Sequence, residues 1–139
     1  MPIQPASESS ASGIVEVYVK YAKGLQDLSG FSHVVLLYYM HKVSRIDLMV
    51  TPFLDTVKRG VFATRAPTRP NPIGLSVVEL ERIEVTKLYV HQLDILDGTP
   101  LLDIKPYIPE FDRPQQVRIG WLSEVNNKVK GKKSDHRFK

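Results

Sequence analysis

Apolar residues in this chain fall mostly at alternate positions or in short unbroken runs and rarely at helical spacing, a pattern that predicts strands. Residues 14–19 set β-branched and aromatic side chains around Glu16 and read as a strand. Residues 21–28 have room for one short helical turn, ended by Ser29 and Gly30. The run 34–40 is dense in Val, Leu and Tyr and too short for a helix, so it predicts a strand buried on both faces. Residues 44–58 carry little pattern, and Pro52 breaks any long element there. Strands are expected at 60–64 and 75–85 on either side of a proline-rich loop, the second bending near Arg82 and Ile83, where its alternation slips. Residues 88–96 and 101–104 flank Asp97 and Gly98, a hairpin signal because both residues tolerate positive φ. Residues 2–13, rich in Ser, Ala and Pro without periodicity, read as a mobile lead-in. The fold class expected is mainly β: a single-domain β-barrel or strongly curved sheet with few short helices.

Composition narrows this picture. A chain of 139 residues has room for one domain with a real core, placed at 1–125, followed by a basic tail at 126–139. The absence of cysteine excludes disulfides, thiolate metal sites and a cysteine nucleophile. His33, His41, His91 and His136 lack the close pairing of a metal motif, so no metal is expected. With no apolar stretch of membrane-spanning length and no secretory leader pattern, the expectation is a cytoplasmic protein without a membrane partner. No GxGxxG follows a strand, so a Rossmann nucleotide site has no support. The net charge of +4 permits an anionic partner, but Lys128, Lys130, Lys132, Lys133, Arg137 and Lys139 crowd the tail. That tail reads either as a solvated end or as an arm that contacts RNA.

Chemistry concentrates in the run GVFATRAPTRPNPIGLS at 60–76. Pro67, Pro70 and Pro72 fix their own φ and push the preceding residues toward extended conformations, so Arg69 and Asn71 have few backbone alternatives. Arg65 and Arg69 offer planar charged forks for carboxylate or phosphate, and the Asn71 amide offers a donor and an acceptor. The loop is equipped for a polar ligand; read without function, it is a stiffened turn in which Gly74 supplies a positive φ.

The same run resembles the signature GVFATRSPxRPNPIGLS of the TrmO-like tRNA methyltransferases, departing only at Ala66. The blocks YAKGLQDLSGFSH at 21–33 and DILDGTPLLDIKPY at 94–107 resemble the family in the same order, as do GWL at 120–122 and SDHRF at 134–138. The resemblance implies a β-barrel that binds S-adenosylmethionine without a Rossmann fold, at a site close to a homodimer interface. It implies methyl transfer to N6 of threonylcarbamoyl-adenosine next to the anticodon of threonine tRNAs, so tRNA is the expected partner. That N6 lone pair is conjugated into the purine, and holding it in line with the methyl is where catalysis arises, a contribution of roughly 7–11 kcal/mol at best.

Roles follow from the resemblance together with side-chain chemistry. Asn71, followed by Pro72, is a source of acceptors for the amine by analogy with Asn-Pro loops of other amino-methyltransferases. Tyr107 either stacks on a base or caps the barrel core. Arg65 meets the cofactor carboxylate. Asp94 and Asp97 meet ribose hydroxyls or the ammonium group, or else serve turn chemistry. His41 and Lys42 correspond to a family position near the cofactor, and Leu75 and Leu96 give apolar or backbone contact to the adenine. Arg69 and Lys105 are candidates for tRNA phosphates or the substrate's carboxylate.

One departure stands out. Family members begin with an extra strand of the type IGVIxSPY before a segment ending PxQ, whereas here Met1 precedes Pro2, Ile3 and Gln4 directly. Gln4 would then match the segment that approaches the cofactor, tethered at one end. Either the true start lies upstream, which is the expectation, or a barrel edge is left open. Two other functions compete with the leading one: a methyltransferase of the same fold acting on another acceptor, and a non-catalytic RNA-binding or cofactor-sensing module.

Overall fold

Alternation dictates the architecture. In a computed structural model, which describes residues 2–5, 12–53 and 55–125, strands that alternate apolar and polar positions curl into a ring. The strands are β1 (Pro2–Pro5), β2 (Gly13–Glu16), β3 (His33–Tyr39), β4 (Met49–Val50), β5 (Arg59–Gly60), β6 (Ile73–Glu84), β7 (Lys87–His91) and β8 (Thr99–Pro106). The ring order is β1-β2-β7-β6-β3-β8, all antiparallel, and β8 pairs back onto β1 through Pro2↔Pro100 and Ile3↔Thr99. β4 and β5 form a separate two-stranded ribbon. β1 thus has a partner on each side, and the open edge weighed from the sequence is filled, although only briefly.

Inward positions fill the barrel as expected of a small one. Val15, Val34, Leu36, Val78, Leu88 and Val90 are essentially inaccessible and belong to one cluster. β6 bulges between Leu80 and Arg82, the bend foreseen from the slipped alternation.

Several expectations need correction. The run 34–40 is buried on one face only: Val34 and Leu36 point inward, while Val35 and Leu37 are half-buried. The expected strand at 60–64 is two residues of β5 followed by a 3-10 turn, Val61–Ala63, because Val61 is buried while Phe62 and Ala63 face out. Thr64 closes that turn, its amide and hydroxyl both donating to the Val61 carbonyl. The strand expected at 88–96 stops at His91, since Gln92 turns at φ 64°. Asp97 and Gly98 do not make a hairpin: β7 and β8 are not partners, and only Gly98 has positive φ, 82°. The short helical segment is two 3-10 pieces, Val19–Leu25 and Leu28–Gly30. Of the expected lead-in, Pro2–Pro5 is β1; the tail at 126–139 lies outside the described residues.

Antiparallel pairing puts the long connections at one end. β3 ends where β6 and β8 begin, so the segments 40–72 and 92–98 leave the barrel together. His33, the start of β3, and Tyr107, just past β8, mark the opposite end, where the Tyr107 amide donates to the His33 carbonyl at 3.1 Å.

Candidate functional site

The proline loop is pinned to that end by its neighbours. Met40 N–H donates to the Pro72 carbonyl at 2.8 Å, joining the loop to the end of β3. Asp47 N–H donates to the Thr68 carbonyl at 3.0 Å, and Trp121 Nε1 donates to the Ala63 carbonyl at 2.8 Å. Arg69 turns inward on its own loop, Nη1 donating to the carbonyls of Thr64 at 2.7 Å and Ala66 at 3.2 Å. Prolines remove donors and so leave carbonyls without strand partners; the arginine fork satisfies two of them at once.

Between the loop and the segment 92–98 lies a cavity of about 270 Å³. His41 and Lys42, in the turn after β3, line it together with Asp94 and Leu96, and Tyr38 and Pro67 form part of its wall. Thr99, almost fully buried, holds the second segment in place: its amide and hydroxyl donate to the Leu96 carbonyl at 3.2 and 2.6 Å. The wall is shaped by an unusually close approach. Tyr38 pairs across the sheet with Gly74, and a Cβ on Gly74 would stand 2.1 Å from the Tyr38 ring. Gly74 has no positive φ, so its smallness, not its backbone freedom, is what the position needs. The Tyr38 hydroxyl lies 2.8 Å from Ser76 Oγ, which fixes the ring. A cavity of this kind, mostly apolar but lined also by one carboxylate, one imidazole and one ammonium, suits a zwitterionic ligand with an apolar body.

Four expected residues, His41, Lys42, Asp94 and Leu96, thus meet in one place. Asn71 is exposed at the same end, and its side chain makes no hydrogen bond among the described residues. Arg65 is exposed and lines a second groove beyond Pro67, again without an ion pair among the described residues. Asp97 is exposed just past the cavity lining. Leu75 lies on the outer face of β6 opposite Leu37, away from the cavity. Gln4 sits on β1 opposite Ile14. Lys105 and Tyr107 are not brought together with these: they lie toward the other end, Lys105 paired to Asp103 at 2.9 Å and Tyr107 edge-on to His33. Sequence reading missed Tyr38 and the reason for Gly74; the signal was an aromatic closing an apolar run and a glycine inside a strand.

The fold and cavity define the class: a small antiparallel barrel with a non-Rossmann ligand cavity at the end where its long loops gather. Residues 1–113 match the family model of the tRNA-methyltransferase O N-terminal domain, and the chain belongs to that family. It is 49% identical over 138 residues, 99% of this chain and 75% of the other, to a probable S-adenosyl-L-methionine-binding protein of Pyrococcus abyssi. It is 46% identical over 96 residues, 67% of this chain and 22% of the other, to the human tRNA (adenine(37)-N6)-methyltransferase. The crystal structure of TrmO from Pseudomonas aeruginosa superposes with a TM-score of 0.68 at 36% identity, covering 86% of this chain. The chain spans 58% of that TrmO chain, so it corresponds to part of the longer protein.

Proposed function

We propose that this protein is an S-adenosylmethionine-dependent tRNA methyltransferase that modifies N6 of threonylcarbamoyl-adenosine next to the anticodon of threonine tRNAs, and that it works as a homodimer. The observation that carries the reading is the meeting of His41, Lys42, Asp94 and Leu96 in one cavity beside the loop that bears Asn71. The names of the Pyrococcus and human relatives support it. Held there, S-adenosylmethionine would supply an electrophilic methyl group whose C–S bonding pair stays with sulfur, and the acceptor N6 would give up its proton to solvent. Lys42 would pair with the carboxylate end of the ligand and Asp94 with its hydroxyls or ammonium, while Tyr38 forms part of the wall. Asn71 accepts from the amine and orients its lone pair; because Pro70 and Pro72 restrict the backbone around it, little entropy is lost in doing so.

The dimer is supported by the outer face of β3 and β6. Cross-strand pairs Val35↔Val77, Leu37↔Leu75 and Tyr39↔Ile73 make a continuous apolar ladder on the outside of the barrel. Leu75 is 50% exposed and Ile73 48%, a surface that a self-complementary contact would cover. The experiment that tests the function is transfer of labelled methyl to threonine tRNA with and without the threonylcarbamoyl group. Label only on the modified tRNA is expected; label on neither, with the ligand bound, would overturn the acceptor.

A further inference from the structure

Beyond Pro67 from the cavity runs a wider groove of about 940 Å³ whose lining is of another kind. Two phenylalanines stand on it largely open, Phe53 at 77% and Phe62 at 74% exposed. Trp121 lines it too, held by its hydrogen bond to Ala63. The Arg59 guanidinium carbon lies 5.5 Å from the Trp121 ring centre, and that of Arg69 lies 5.8 Å from the Phe62 ring centre. Arg65 lines the groove itself, and no carboxylate does among the described residues. Burying a phenylalanine is worth about 1.5–3 kcal/mol, so the barrel gains nothing from leaving two of them open. Open aromatic faces flanked by fixed cations are the parts with which proteins hold unpaired nucleobases: rings stack, and guanidiniums meet phosphates.

We infer that this groove binds the single-stranded nucleotides flanking the base to be methylated, with Phe62 and Phe53 as stacking platforms and Arg65 as a phosphate partner. This rests on the reading that the chain acts on tRNA. Pro67 lines both the groove and the cavity, so a strand stacked on Phe62 lies against the ridge whose other side is the cofactor cavity. The groove thereby selects unpaired over paired RNA before chemistry begins.

The test uses the full chain, a labelled stem-loop RNA with a single-stranded loop, and a duplex of the same stem, with affinity read by anisotropy. Wild type is expected to favour the stem-loop. Phe62→Ala and Phe62→Leu should each weaken stem-loop binding about tenfold, while Phe62→Trp retains it. Duplex binding, S-adenosylmethionine affinity by calorimetry, thermal melting and oligomeric state should stay as in wild type. Wild-type affinity in Phe62→Leu would overturn stacking, since apolar bulk alone would then suffice. Loss of self-association in Phe62→Ala would overturn it in favour of an interface between copies. A wild-type chain that binds RNA equally with Phe62→Ala removes the groove alone, whereas one that binds S-adenosylmethionine and no RNA removes the underlying function as well.

Discussion

Gly74 shows how much one missing methyl group can decide. Its partner Tyr38 lies across it closely enough that any Cβ would overlap the ring, and that ring is part of the cavity wall. Gly74→Ala must therefore push Tyr38 out or bend β6, costing about 1–3 kcal/mol as overpacking does. We expect lower thermal stability together with weaker S-adenosylmethionine binding by calorimetry; an alanine variant with unchanged affinity would detach Tyr38 from the site. Asp94→Ala is expected to weaken the same binding about tenfold, whereas Asn71→Ala leaves affinity alone and slows transfer, a split that single-turnover kinetics resolves. Asp55 acts at a distance from this chemistry. The Arg59 guanidinium, donating at 2.9 Å, holds its carboxyl below the ordinary aspartate value, and the amides of Thr56 and Val57 add to the effect against the opposing cost of burial. A folded-state value below the unfolded one means the unfolded chain takes up the proton first as pH falls. The contribution is then complete above about pH 5 and lost as pH falls through the folded value. Melting temperature should therefore climb with pH across that acid range in wild type and climb less in Asp55→Asn.

At the scale of elements, the proline loop was legible as a conformationally restricted segment because proline limits the backbone in ways that need no tertiary context. What held it was not. Arg69 reads in sequence as a free cation, yet it caps the carbonyls of Thr64 and Ala66, a use that depends on how the loop curls. A lysine in its place keeps the charge but loses the fork that spans both carbonyls. Arg69→Lys should loosen residues 61–69, seen as faster amide exchange there, with stability lower by about 1 kcal/mol; unchanged exchange would mean the prolines alone hold the loop. The strands were found where β-branched and other apolar residues were dense, as in β3, β6 and β8, and misjudged where a single residue ended them, as at Gln92. The hairpin expected at Asp97 and Gly98 failed for a topological reason: closing the ring sends β8 between β3 and β1, so its turn signal serves a loop and not a paired neighbour. Segment 44–58 stayed opaque because its order comes from distant contacts, such as β4 against β5 and Asp47 against Thr68.

Across the whole molecule, the expected site residues divide between the two ends of the barrel. His41, Lys42, Asp94 and Asn71 gather at one, Tyr107 at the other, separated by the eight residues of β8, or about 25 Å of extended chain. If Asn71 holds the amine as proposed, one chain cannot bring Tyr107 to it. A second copy can, if the apolar ladder of β3 and β6 is the contact and the two barrels lie antiparallel across it. Glutamate at Leu75 would then abolish both dimer and activity, because it places charge in the middle of that ladder; light scattering and methyl transfer should fail together. The sharper test mixes two variants slowed in transfer, Asn71→Ala and Tyr107→Ala, after reversible dissociation. If each site takes Asn71 from one chain and Tyr107 from the other, half of the dimers are mixed and each carries one intact site, so about a quarter of wild-type activity returns. If both residues served within one chain, every site in the mixture would carry a lesion and none would return. Recovery would make the barrel's two ends halves of a single centre, each completed by the partner, and would explain why an apolar face was left uncovered beside strands otherwise patterned for water.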